Sequence, residues 1–149
     1  MKRIMLNTNV FCRPFDDQSD YRLKEEGNRA LTILSLKTEG KAEIITSDVL
    51  YEEIDLINDK NKRESVYYLV EAFESERMQT SKSVTDIADE MHRLIRDYND
   101  CLHIAFAGVG ICDFLITCDD ELLKRKSKIE SFLLSKELIT KIRHPSEFE

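Results

Sequence analysis

The sequence predicts an α/β domain built on a mostly parallel sheet. Two observations carry that prediction: short apolar runs alternate with longer helical patterns, and no Pro/Gly/Ser-rich linker, repeat or low-complexity stretch interrupts them. At 149 residues the chain is expected to form one domain over residues 1–149. A domain of that size buries roughly 70% of its unfolded surface without staples.

The elements follow in order. Residues 3–6 read as a strand. Residues 21–37 read as an amphipathic helix, because Leu23, Ala30, Leu31 and Leu34 recur at offsets of 7, 8 and 11 on one face. Gly40 breaks that pattern, and residues 42–45 form a second strand. Ser47 or Asp48 then caps a helix over 49–58. Charged helices are expected over 62–76 and 85–98. Asn99 or Asp100 opens a helix that is apolar nearly all round (Cys101, Leu102, Ile104, Ala105, Phe106, Ala107, Val109), and such a helix is buried. Residues 114–117 are a strand, 119–125 a helix and 137–142 a last strand.

Composition narrows the function. Apolar residues make up 42% and charged residues 34%, as in an ordinary soluble protein. No apolar run approaches the ~20 residues of a membrane span, and the N-terminus has no secretory pattern. The four cysteines lack C-x-x-C spacing and read as small buried hydrophobes in a reducing cytoplasm. A net charge of −7 argues against a protein that coats nucleic acid nonspecifically. It leaves room for an acidic site whose divalent cations then meet phosphate. A nucleotide-binding domain is disfavoured, since G-x-G-x-x-G and G-x-x-x-x-G-K-[ST] are both absent and only four glycines occur.

Glu53 is the sharpest chemical signal. Its helical neighbours three and four residues away are Val49, Leu50, Leu56 and Ile57, so its carboxylate projects from the core face. Glu52, with Asp48 and Asp55 nearby, faces water. An ionised glutamate in an apolar wall is costly unless it coordinates a metal, pairs with an arginine or sits at the stripe's edge. Asn7 and Asp119 each lie just past an apolar strand, where parallel sheets gather ligands. Asp119 is equally placed to cap a helix, and Asp100 suits a helix N-terminus. Several acids at element ends, plus one facing inward, fit metal-assisted phosphodiester hydrolysis with Mg²⁺ or Mn²⁺. His92, His103 and His144 form no metal-ligand spacing. His103, three residues after Asp100, either braces that acid or is a satisfied core histidine.

On these residues the chain resembles a PIN-domain protein. The resemblance runs through Leu6-Asn7-Thr8-Asn9-Val10, Arg13-Pro14-Phe15-Asp16-Asp17-Gln18 and Ser47-Asp48-Val49-Leu50-Tyr51-Glu52-Glu53-Ile54. It continues through Asp100-Cys101-Leu102-His103-Ile104-Ala105 and Phe114-Leu115-Ile116-Thr117-Cys118-Asp119-Asp120-Glu121-Leu122-Leu123. The resemblance implies a three-layer α/β/α sandwich with a central, mostly parallel sheet. It also implies a Mg²⁺- or Mn²⁺-dependent endoribonuclease like the VapC-type toxins of toxin–antitoxin pairs. Its metal site would be Asn7, Glu53, Asp100 and Asp119, with Thr8 and Thr117 flanking it as substrate-side hydroxyls. Asp120 would replace Asp119 or serve as a cap. The implied partners are RNA, an antitoxin-type protein and a second copy of the chain.

Asn7 is the departure, since the family carries aspartate there. A carboxamide offers one ligating oxygen, no charge and an NH₂ that cannot ligate. Two readings of function follow: a PIN-type ribonuclease impaired by Asn7, or an inactive PIN-like module that binds RNA or a protein. For RNA phosphates the basic run Lys124-Arg125-Lys126-Ser127-Lys128 is the best surface candidate, set against a plain solvated helix end.

Overall fold

The computed structural model describes residues 1–148, so Glu149, the last residue of the expected domain, lies outside it. Among the described residues the chain forms five strands and eight α-helices. In chain order these are β1 (Lys2–Leu6), α1 (Thr8–Cys12), α2 (Tyr21–Thr38), β2 (Ala42–Ser47), α3 (Asp48–Asp55), α4 (Lys60–Phe73) and β3 (Glu76–Met78). There follow α5 (Lys82–Met91), α6 (Tyr98–Val109), β4 (Phe114–Ile116), α7 (Asp120–Lys124), α8 (Lys126–Ser135) and β5 (Lys141–Arg143).

The strands make one parallel sheet in the order β3-β2-β1-β4-β5. Side chains alternate across it, as the pleat requires. Ile4 and Leu6 of β1 pack with α1, α2, α3 and α4 on one face. Met5, between them, packs with α5, α6, α7 and α8 on the other. The result is a three-layer α/β/α sandwich. Helix α6 is buried as its composition predicts, with Cys101 and the run from His103 to Gly108 all inaccessible.

Several boundaries depart from the periodicity, each for a local reason. Leu31 points outward at 45% exposed, while Ile33 takes the core position beside Ala30 and Leu34. Helix α4 stops at Phe73 because Glu74 turns extended, and the charged segment behind it pairs with β2 as edge strand β3. No apolar alternation marks Glu76-Arg77-Met78, so the partner strand decides it. Asp97, rather than Asn99 or Asp100, caps α6, its Oδ1 accepting from the Asp100 N–H at 3.2 Å. The last strand begins at Lys141 and not at 137, because Glu137 adopts φ +63° and closes the end of α8. Such a left-handed residue ends a helix and cannot start a strand.

One glycine sets a close approach that matters for the site. A Cβ on Gly27 would stand 3.0 Å from the Arg13 carbonyl oxygen and 3.2 Å from the Pro14 Cα. Its absence lets α2 lie against the 3₁₀ turn Arg13–Phe15, which brings Arg13 onto Glu26.

Candidate functional site

The sheet order reverses at β1: the chain builds β2 and β3 on one side and β4 and β5 on the other. In open parallel sheets ligands bind outside the carboxyl ends of the strands at such a switch point. The residues that leave β1 and β4 meet there. The Asn7 N–H donates to Ile116 O at 2.9 Å. Asn7 Oδ1 accepts from the Thr8 N–H at 2.7 Å, and its Nδ2 donates to Thr117 Oγ1 at 3.1 Å. Thr117 is fully buried and also accepts from the Asp119 N–H at 3.1 Å. Asn9 completes the clasp, its Oδ1 accepting from the Cys118 N–H at 3.1 Å. The Asn7 amide nitrogen thus joins the two strand ends, while its oxygen caps α1 locally.

Helix α3 ends at Asp55, so Leu56 and Ile57 lie past it, and Leu56 is 76% exposed. Glu53 is half-buried on the side of α3 that carries the buried Val49 and Leu50, and no arginine satisfies it. Thr8 Oγ1 donates to its Oε1 at 2.5 Å, His103 Nε2 meets the same oxygen at 2.5 Å, and Asn99 Nδ2 donates to Oε2 at 3.3 Å. Burial alone would raise its pKa. The hydrogen bonds, that of His103 foremost, outweigh burial and hold the carboxyl below its usual range. The His103 hydrogen bond therefore goes to Glu53 and not to Asp100.

Asp100 and Asp119 line one cleft of about 680 Å³ together with Asp97, Glu121, Arg96, Arg125, Ile95 and Leu122. Asp119 caps α7 through the Glu121 N–H at 2.8 Å. Burial, then the Asp97 and Asp119 carboxylates, push Asp100 up to about 6. Glu53 adds to that repulsion. The structure thus brings Asp100 and Asp119 together at the opening. Glu53 and Asn7 do not line the cleft and sit in their own hydrogen-bond networks. The donor set is hard oxygen throughout, which suits Mg²⁺ or Mn²⁺.

Among the described residues, the one cluster of three acidic, His or Cys groups with ligand atoms within 4.8 Å lies elsewhere, at Glu26, Cys118 and His144. Glu26 is 2% exposed and takes Arg13 Nε at 2.7 Å, Arg22 Nε at 3.2 Å and His144 Nε2 at 2.5 Å. His144 Nδ1 accepts the Ser146 N–H at 3.1 Å, so its Nε2 carries the proton and donates to Glu26. Two guanidiniums and an imidazole N–H on one carboxylate make an ion-pair hub rather than a vacant metal centre. The hub braces the turn that bears Asp119, since Arg22 also holds Asp120 at 2.8 Å and the Cys118 carbonyl at 3.4 Å. Asp120 is therefore an ion-pair partner. Burial pushes the Cys118 thiol up to about 12, and all four cysteines are buried and unlinked.

Neither a protein-family model nor a curated protein matches the sequence. A solved structure does match in fold: a chain of the crystal structure of VapBC2 from Rickettsia felis bound to a DNA fragment from their promoter. It has a TM-score of 0.58 and 17% identity over 94% of this chain and 98% of that one. The chain has a PIN-like fold. In this PIN-like frame the pairing of β1 with β4 sets Asn7 beside Thr117, which sequence spacing alone does not show. The Glu26 hub had a sequence signal, an acid three and four residues from Gly27's neighbours Leu23 and Ala30 on an apolar face, but nothing there identified its partners. No helix among the described residues is long and apolar enough to cross a membrane.

Proposed function

We propose that this PIN-like protein is a divalent-metal-dependent endoribonuclease. The observation that carries the reading is the Asp100–Asp119 cleft at the switch point, where burial, and after it repulsion from Asp97 and Asp119, lifts Asp100 to about 6. Convergent carboxylates that resist ionising together are what a bound cation relieves. Asp100 and Asp119 would hold Mg²⁺ or Mn²⁺, with Glu53 aimed from the wall by His103 and Thr8, and Asn7 as the neutral fourth member. The ion would activate water and stabilise the charge that develops on phosphate. Thr117, being buried, acts on substrate only through the Asn7 clasp, whereas Thr8 is partly exposed beside Glu53. The R. felis complex supports a toxin–antitoxin setting with an antitoxin-type protein partner, and a homodimer is what the PIN-like resemblance implies.

A second reading, a PIN-like module that binds RNA or protein without cutting, draws on Asn7 itself. Its amide nitrogen faces Thr117 and its oxygen is already bound to Thr8, so it brings no charge to a cation. The test is paired: RNA cleavage and thermal midpoints with Mn²⁺ or EDTA, for the native chain and Asn7→Asp. The nuclease reading expects Mn²⁺ to raise the midpoint of both, more for Asn7→Asp, and cleavage to rise in that variant. Indifference of both proteins to Mn²⁺ and Mg²⁺ refutes the metal site. A Mn²⁺ response without any cleavage by Asn7→Asp supports the binding module.

A further inference from the structure

The acidic cleft contains two cations that the metal site does not use. Arg96 and Arg125 both line it, together with Asp97, Asp100, Asp119 and Glu121. Both are exposed, and among the described residues neither makes an ion pair. Arg125 is anchored by one contact, its Nη1 donating to the Leu94 carbonyl at 3.3 Å. Most arginines elsewhere are tied to acids: Arg3 to Glu43, Arg13 and Arg22 to Glu26, Arg29 to Glu25, Arg77 to Glu74 and Arg143 to Glu130. Guanidiniums left unpaired beside four carboxylates have donors to spare for a ligand.

The basic run 124–128 looks different once folded. Lys124 reaches Glu121 at 3.6 Å and Lys126 reaches Glu147 at 3.1 Å, so each carries its own counter-ion. Lys128 is exposed but does not line the cleft. Of that run only Arg125 faces the cleft, and Arg96, from a different segment, joins it. We propose that Arg96 and Arg125 form a phosphate-binding pair that receives the RNA backbone beside the acidic cleft. This rests on the ribonuclease reading and adds its substrate grip.

Charge balance supports the pair. With Glu53, which the proposed metal site adds, five carboxylates against two guanidiniums leave the site three charges negative, and one divalent cation brings it to one. Without the arginines the metal-loaded site would stay three charges negative and repel a polyanion. Arginine also suits the ligand, because its fork matches two phosphate oxygens at once.

The experiment is RNA binding by fluorescence anisotropy with a single-stranded oligonucleotide in Ca²⁺, over a salt series. The proteins are the native chain, R96A, R125A, the double variant, R96K/R125K and K128A. Each single-strand phosphate contact contributes about 0.7 to the slope of log affinity against log salt. R96A and R125A should each flatten the slope by about that much, so raising salt from about 50 to 200 mM costs each about 2.6-fold less affinity than it costs the native chain. The double variant should lose about twice the slope, while R96K/R125K and K128A keep the native one. Thermal midpoints confirm folding, and both arginines are exposed. Native slopes in the alanine variants, or a loss in K128A equal to theirs, overturn the pair. Absence of salt-sensitive RNA binding by the native chain also overturns it, and leaves the metal site to the separate Mn²⁺ test.

Discussion

Replacing Asp100 by Asn removes the carboxylate that its surroundings tolerate least. Burial and the neighbouring acids raise its pKa from 3.8 to about 6. At about 1.36 kcal/mol per unit, the fully buried limit is about 3 kcal/mol of destabilisation by the ionised form at neutral pH. Water reaches the cleft, and screening cuts this to about half. Asp100 also stands in the first turn of α6, where losing a negative charge costs about 0.5 kcal/mol. Asp100→Asn should therefore gain about 1 kcal/mol at pH 7 without metal, or about 3 °C in Tm. The sign depends on pH. Between 3.8 and about 6 the native Asp100 holds a proton that the unfolded chain releases, so the native protein loses stability as pH rises through that window. The gain of the variant should accordingly grow from near zero at about pH 4 to its full value above pH 6. Urea melts with EDTA at four pH values measure it. A variant that melts at or below the native chain at pH 7, or whose gain is the same at every pH, refutes the reasoning.

Three further outcomes follow from named contacts. His103→Ala should cost about 2 kcal/mol, because Glu53 loses the contact that most lowers its pKa while staying part-buried. That loss should be largest above the usual carboxylate range and fade as acid protonates Glu53 in both proteins, which urea melts at pH 7 and pH 3 compare. Glu26→Gln should cost about 2 kcal/mol, by stranding Arg13 and Arg22; the figure is set below the deep-core value because Arg22 is 53% exposed. Calorimetry checks it, and an unchanged Tm would show that the hub is not structural. Gly27→Ala should lower Tm although alanine is the better helix former, since its Cβ meets the Arg13 backbone at 3.0 Å. A raised midpoint would mean that α2 and the 3₁₀ turn separate at little cost.

Much of the fold and part of the site were legible in the residues themselves. The apolar runs at Ile4–Leu6, Ile44–Ile45 and Leu115–Ile116 are continuous because both sheet faces are covered, and that pattern already marks a parallel sheet. Val49 and Leu50, one turn before Glu53, marked the side on which it meets the core, because helical spacing is a local property; Leu56 and Ile57 did not, because α3 ends at Asp55. Tertiary structure decided the rest. Edge strand β3 has no local pattern and exists because β2 offers unpaired backbone groups beside it. His103 as the partner of Glu53 lies 50 residues away, and the Glu26–His144 bond spans 118. Arg96 and Arg125 share a cleft only after α6 and α7 settle against the sheet. Local sequence specifies which residues turn inward, since periodicity acts over one or two turns. Which inward groups meet, and whether a charge finds a counter-ion or stays open to a ligand, is decided by the order of strands in the sheet.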